Sequence, residues 1–269
     1  MALALVLGMS QCKKQETPTN DNGGEKVYVT LNVNNGESIA VNVDNGGRHA
    51  VAPNLGVIQF RNGDVLYVGN NGKYIGQLTY TNGAFGGELA APTGDDYLHF
   101  YFLGGKAPAT APTAGNTPSF DINIADQSQN LPVLCYGKSN EKYSTSGSYT
   151  AVLEYKCALV RFDLENHGED YTVTLSGVPT KATVNFANPT ATTAIVATEG
   201  QTNANMTLYG EPGNAAYRWA ILLPGTNLST EQHSDLTITY SGEADLTNLD
   251  NNNYINGGIS ISNPASYTA

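Results

Sequence analysis

The chain has 269 residues, 40% hydrophobic and only 14% charged, with a formal net charge of -11 and with 29 Gly and 16 Tyr. So little charge with so many aromatics excludes disorder, and the length allows one large all-β domain or two of ordinary size, each with a core. Beyond Arg161 the only basic residues are Lys181 and Arg218, which excludes a nucleic-acid partner and disfavours anionic membrane surfaces.

The chain opens on MALALVLGMSQC, an apolar run too short to span a bilayer and about right for the end of a signal peptide. An apolar segment closing on Cys12, followed by the polar KKQETPTNDNGGE, resembles a bacterial lipoprotein signal. That resemblance implies acylation of Cys12, with residues 1–12 as signal and 13–25 as tether. Gln11 stands where the lipoprotein pattern has Gly or Ala. The alternative is a misassigned start with an incidental cysteine.

Lys26 to Val33 alternates cleanly, with Val27, Val29, Leu31 and Val33 on one face, and Ile39, Val41 and Val43 repeat the pattern after an Asn-Gly turn. This predicts a hairpin. The Gly-rich loop DNGGRHAVAP follows, then short strands at Gly56–Phe60 and Asp64–Val68. KYIGQLTY and AFGGEL form another hairpin about Thr81-Asn82-Gly83. Asp96 to Leu103 is dense enough to be a central strand, and GGKAPATAPTAGNTP reads as an exposed loop.

The longest strand-like run is Tyr149–Leu164. Leu153, Tyr155, Cys157 and Leu159 hold one phase, and Val160, Phe162 and Leu164 hold the other. A one-residue slip sends side chains to the opposite face, so the run contains a bulge or passes between sheets near Ala158. Strands are expected beyond it at Tyr171–Leu175, Ala182–Phe186, around Ile195, and at Asn205–Tyr209. Further ones are expected at Tyr217–Leu223, Leu236–Tyr240 and Asn253–Ser260. No window has a helical period. The expectation is an all-β fold of two β-sandwich lobes, residues 26–157 and 158–269.

Chemistry is sparse. None of His49, His99, His167 and His233 has metal-ligand spacing, and there is no nucleophile elbow or phosphate loop. His99 reads as a packed histidine and Asp95-Asp96 as turn acids. Asn248, Asp250 and Asn252 lack the glycine and glutamate of a calcium loop. Neither enzyme activity, metal nor cofactor is expected. Cys135 and Cys157 lie on neighbouring strand-like segments, either as a disulfide or as two separately buried thiols. Tyr97, Tyr101 and Trp219 are candidates for a glycan-stacking platform, against a structural role.

The block IQFRNGDVLYVGNNGKYIGQLTYTNGAFGGEL, followed by DYLHFYFLGG, resembles the fimbrillin family, the lipoprotein-derived subunits, anchors and tips of type V pili. The positions that carry the resemblance are Phe60, Gly63-Asp64 and Phe85-Gly86-Gly87, in that order. It implies two transthyretin-like lobes with Greek-key connections and export to the cell surface as an outer-membrane lipoprotein. In pilus-forming members a protease removes the first strand after a basic residue, and the groove accepts a strand of another subunit. The matching elements are Val27–Val43 as the removable segment, Arg48 as the cleavage candidate with Arg61 as rival, and Tyr254, Ile259 and Ile261 as donor-strand candidates. An uncleaved anchor or tip is the alternative for Arg48.

The resulting expectation is a structural or adhesive pilus subunit. Its partners would be other subunits and a host or bacterial surface ligand, with membrane contact only through a lipid anchor. The alternative is a glycan-binding surface lipoprotein of a nutrient-uptake system.

Overall fold

The computed structural model describes residues 26–35, 60–144, 147–163, 171–200, 204–211, 214–224, 238–242, 254–255, 258–259 and 267–268. Every regular element among them is a strand. The first group is β1 (Lys26–Asn35), β2 (Val65–Asn70), β3 (Lys73–Thr81), β4 (Ala84–Ala90), β5 (Tyr97–Phe102), β6 (Ser119–Asn123), β7 (Cys135–Lys142) and β8 (Ser148–Tyr155). Next come β9 (Ala158–Asp163), β10 (Tyr171–Val178), β11 (Lys181–Asn185), β12 (Ile195–Ala197), β13 (Ala204–Thr207), β14 (Tyr209–Glu211) and β15 (Asn214–Leu222). The last are β16 (Ile238–Gly242), β17 (Tyr254–Ile255), β18 (Gly258–Ile259) and β19 (Tyr267–Thr268).

Sandwiches are anticipated from the sequence, but the strands of the first half close into a barrel in the order β1-β4-β3-β2-β5-β7-β8. Closure follows from β1, which pairs antiparallel with β4 and parallel with β8. Closing a sheet in this way removes its free edges, apart from the staggered ends of β1, which pair on one side only. The hairpin β3–β4 is set by its turn: Asn82 and Gly83 both have positive φ, +53° and +101°, as a tight two-residue connection requires.

Three further sheets follow the orders β13-β10-β16-β18-β17, β12-β11-β6 and β14-β15-β9-β19. The strand-like run read as a crossing divides at Lys156-Cys157. β8 ends at Tyr155 in the barrel, and β9 starts at Ala158 beside β15 in another sheet. β6 departs from the simple order of the chain. It lies between barrel strands in sequence, yet it pairs with β11.

There are two cores. One fills the barrel, with Val29, Leu31, Leu66, Leu78, Phe85 and Phe100 all fully buried. The other lies against the outer face of β2, β3, β5 and β7, where Tyr67, Tyr74, Tyr101 and Tyr136 meet Val173, Val184, Phe186 and Leu222. Phe186 stacks edge-on to Tyr101 at 4.8 Å, and Phe120 of β6 lies 5.2 Å from Tyr67. Gly69 makes this contact feasible, since a Cβ there would stand 2.6 Å from the Phe186 ring.

Strands shared between the cores alternate strictly. On β5, Leu98, Phe100 and Phe102 face the barrel core while Tyr101 faces the second; on β15, Trp219 and Ile221 face the barrel core while Ala220 and Leu222 face the second. Period-two alternation thereby serves two cores with one strand. Gln127, fully buried, completes β15 where β14 has ended. Its side-chain Oε1 accepts from the Ile221 N–H at 2.8 Å, and its Nε2 donates to the Ile221 and Ile124 carbonyls at 2.9 and 3.1 Å. An amide side chain stands where a neighbouring strand's peptide would be.

Candidate functional site

The site with the most unusual construction is the seam at β1. Lys26–Leu31 pair with β4 and Thr30–Asn35 pair with β8, so only Thr30 and Leu31 have neighbours on both sides. The strand therefore crosses the seam diagonally, its first half on one neighbour and its second on the other. Among the described pairings β4 and β8 do not meet, so β1 alone closes the barrel. The Thr30 N–H donates to the Gly147 carbonyl at 2.7 Å, where the β8 ladder begins.

β1 alternates as its sequence dictates. Val29 and Leu31 point inward and are fully buried, Val27 and Val33 are half-buried, and Tyr28 points outward with 65% of its surface exposed. Burying an aliphatic side chain of this size contributes about 1.5–3 kcal/mol. The outward Tyr28 ring crosses Gly86 of β4. A Cβ built on Gly86 would stand 2.6 Å from its hydroxyl and 3.4 Å from Cζ. Gly87 beside it is equally tight, since a Cβ there would be 2.7 Å from the Gln77 carbonyl of β3.

The structure brings together the residues that carried the family resemblance. The Phe60 ring meets Phe85 edge-on at 4.8 Å and Phe102 at 5.2 Å. Gly63 has φ +95° and its N–H donates to the Tyr80 carbonyl, while the Asp64 carboxylate accepts from the Arg61 N–H at 2.7 Å. The aromatic, the Gly-Asp turn and the Phe-Gly-Gly strand are thus one packing unit beside the seam.

The remaining sequence candidates are scattered. Cys12, Arg48, Ile261 and the expected hairpin partner Ile39–Val43 lie outside the described residues, as do His49, His167, His233, Asn248, Asp250 and Asn252. Arg61, the rival cleavage position, is half-buried in the turn just described. Tyr254 is in β17 and Ile259 in β18, where they pair with each other, and Ile259 also pairs with Ile238 of β16.

Cys135 and Cys157 are free thiols. Cys157 Sγ accepts from the Leu134 N–H at 3.5 Å and packs against both cores. Burial pushes both thiols up, Cys157 to about 11. The three glycan-platform candidates do not share an exposed face. Tyr101 is fully buried in the second core and donates its hydroxyl to the Asn185 carbonyl, Trp219 is buried in the barrel core, and Tyr97 is half-buried under Lys138. The sequence cannot tell an outward ring from a shared-core ring, and these rings are packing groups.

His99 is buried, with Nδ1 2.8 Å from the Tyr136 hydroxyl and Nε2 3.9 Å from Asp96. Asp96 caps its own loop, accepting from the Asn71 and Tyr97 N–H groups. Desolvation holds the imidazole below its usual 6.5, against the opposing pull of Asp96. The unfolded chain therefore takes up this proton first. The stability His99 contributes is present above about pH 6.5 and is lost as pH falls through the lower folded value. A His99→Gln variant should show a smaller fall in its urea midpoint between about pH 7.5 and 5.5 than the parent chain. Among the described residues no three His, Cys, Asp or Glu side chains gather in a metal-binding arrangement.

No family model and no curated protein matches the chain. Among solved structures it is similar to a candidate cell adhesion protein of Bacteroides uniformis, at 18% identity over 68% of this chain and 76% of that one, TM-score 0.42. A second candidate cell adhesion protein, from Bacteroides ovatus, matches at 14% identity over 83% and 85%, TM-score 0.45. The fimbrial anchor protein Mfa2 of Porphyromonas gingivalis matches at 12% identity over 79% and 77%, TM-score 0.36. These three solved structures are thus of adhesion and fimbrial proteins.

Proposed function

We propose that this chain is a fimbrillin-like cell-surface lipoprotein, a structural or adhesive subunit of a pilus assembled by strand exchange. The observation that carries the proposal is the seam: one strand, the first of the described fold, closes the barrel alone. Its loss would open β4 on one side and β8 on the other, and leave the pockets of Val29 and Leu31 empty. An open sheet position flanked by two strands accepts an extended segment through main-chain hydrogen bonds, with alternate pockets selecting its side chains. The order of Phe60, Gly63-Asp64 and Phe85-Gly86-Gly87, which form one unit beside that position, supports the same reading.

In this reading residues 26–157 are the strand-accepting lobe and 158–269 the second lobe. Cys12 carries the lipid on export to the outer membrane, Arg48 is the cleavage position, and the protein is not an enzyme. The test uses purified chain treated with an Arg-specific protease and followed by intact mass and by unboiled gel. The expected result is a single cut after Arg48 followed by an SDS-resistant ladder. A clean cut with no ladder, or no cut, would overturn the polymerising reading and leave a capping tip or an anchor.

A further inference from the structure

Three Asn-Gly pairs lie wholly among the described residues: Asn62-Gly63, Asn71-Gly72 and Asn82-Gly83. They share their letters and differ in what holds them. We propose that Asn82-Gly83, the turn of the β3–β4 hairpin, is a self-modification site. There the side-chain amide closes on the next backbone nitrogen and converts, without an enzyme, to isoaspartate and aspartate.

The chemistry consumes only water. The Gly83 backbone nitrogen gives its proton to solvent base and attacks the Asn82 side-chain carbonyl carbon. A C–N bond forms, the C–NH2 bond breaks, and ammonia leaves behind a five-membered imide. Water then opens the imide. Opening at the main-chain carbonyl gives isoaspartate, and opening at the side-chain carbonyl gives aspartate. Nothing is oxidised or reduced.

The backbone of this turn stands one rotation from the reactive shape. Asn82 and Gly83 hold the type I′ combination, with φ of +53° and +101°. A type II′ turn keeps φ of about +60° at its first central residue, has ψ of about −120° there, and takes a negative φ at its second. The imide ring needs that same ψ, since the Gly83 nitrogen must eclipse the Asn82 Cβ about the Cα–C bond. Passing from I′ to II′ turns only the peptide plane between the two residues. Asn82 keeps its positive φ, and Gly83 reverses the sign of its own, which glycine does without steric cost. Both turn types close hairpins, so Thr81 and Ala84 stay paired throughout.

Nothing in the fold resists that rotation. Both residues are exposed, and a Cβ on Gly83 would meet no atom within 4 Å. Among the described residues no hydrogen bond engages the Gly83 N–H, the Asn82 carbonyl or the Asn82 side-chain amide. The one contact of Asn82, its N–H donated to Asn62 Oδ1 at 3.0 Å, involves no reacting atom.

The other two pairs are restrained. At Asn62-Gly63 both reacting groups are occupied: the Gly63 N–H donates to the Tyr80 carbonyl at 3.0 Å, and the Asn62 side-chain oxygen receives the Asn82 N–H. Asn71-Gly72 has the same positive φ values, +49° and +75°, but is packed and clamped. The Asn71 N–H donates to the Asp96 carboxylate at 2.7 Å and its side-chain nitrogen to the Thr93 hydroxyl at 3.4 Å. A Cβ on Gly72 would stand 3.3 Å from the Ala187 carbonyl oxygen, so the peptide plane has little room to turn. The carboxylate of Asp96 also disfavours the negative charge that develops on the attacked amide.

The two products differ in consequence. Asp-Gly suits a type I′ turn as well as Asn-Gly does, so aspartate adds a charge and leaves the hairpin intact. Isoaspartate routes the main chain through Cβ and adds a methylene to a two-residue connection. Tyr80 and Phe85, whose rings lie 5.0 Å apart, flank that connection, and Phe85 is fully buried in the barrel core. The longer turn therefore loosens the start of β4, the strand on which β1 rests.

The experiment incubates the full chain in warm, mildly alkaline buffer, folded in one series and unfolded in urea in another. Peptide mass mapping follows the replacement of NH2 by OH at each asparagine. In the folded chain Asn82 should convert at least about tenfold faster than Asn62 or Asn71, the factor that a barrier difference of about 1.4 kcal/mol gives. In urea the three pairs should converge on one rate, since the dipeptide is the same. Asn62 or Asn71 converting as fast as Asn82 in the folded chain would overturn the assignment. An Asn82 that reacts in urea but not in the folded chain would overturn it as well. The isoaspartyl fraction, separated from the aged chain, should unfold at a lower urea concentration than the parent, while an Asn82→Asp variant keeps the parent midpoint. An isoaspartyl fraction as stable as the parent would overturn the loosening of the hairpin.

Discussion

Replacing Trp219 with alanine should cost the fold about 3–5 kcal/mol and lower the melting temperature by roughly 10 °C. Trp219 is carried by β15 but buried in the core of the barrel, beside Ile221 of the same strand. Its loss empties a cavity at the point where a strand from the second half completes the packing of the first. Both halves should therefore lose stability together, in one denaturation transition recorded by circular dichroism. Had the indole been a stacking platform for sugar, truncation would have left the midpoint unchanged and removed oligosaccharide affinity. A variant as stable as the parent chain would contradict the packing role.

Gln127→Leu should be comparably damaging, although it keeps side-chain size and removes only an amide. The substitution strands the Ile221 N–H and the Ile221 and Ile124 carbonyls in the interior. Each buried group left without a partner costs about 1–3 kcal/mol, so a loss of about 3 kcal/mol or more is expected. Gln127→Glu gives a sharper diagnosis. An ionised carboxylate would face two carbonyl oxygens, and burial would raise its pKa above that of the unfolded chain. Stability contributed by the protonated acid is then present at low pH and lost as pH rises through the folded value. Relative to the parent chain, Gln127→Glu should therefore recover on acidification while Gln127→Leu does not, as measured by urea midpoints at about pH 7 and pH 4.

Much of the strand inventory is legible because it is local. KVYVTLNV alternates and becomes β1, and KYIGQLTY and AFGGEL flank an Asn-Gly turn and become β3 and β4. The crossing expected near Ala158 falls where β8 has left the barrel and β9 begins beside β15. SFDIN is missed, although Phe120, Ile122 and Ile124 alternate, because it follows directly on a Pro-rich loop that reads as irregular. The barrel is not legible either. Its closure depends on the parallel register of β1 with β8, two segments with no mark in the sequence that pairs them. The same holds for the candidate site. The aromatic and glycine positions of the family pattern are visible as letters, but that Gly86 is a slot for the Tyr28 ring appears only once β1 and β4 are aligned. The sequence leaves Trp219 open between stacking and packing for a related reason: alternation tells which residues share a face, not which core that face meets.

The position of β1 also sets an order of events in time. The first of the described strands to be made, it emerges long before β8, the parallel partner that completes its pairing. Contacts between distant parts of a chain form late, because their closure entropy is offset only once the intervening structure is in place. The β8 half of its pairing must therefore form last, onto a sheet already assembled from β2 to β8. During that interval the chain is an open sheet with its closing strand still loose. Hydrogen exchange should find the amides of β1 the least protected of the barrel, and a protease or a competing strand meets its best opportunity at birth rather than in the finished fold.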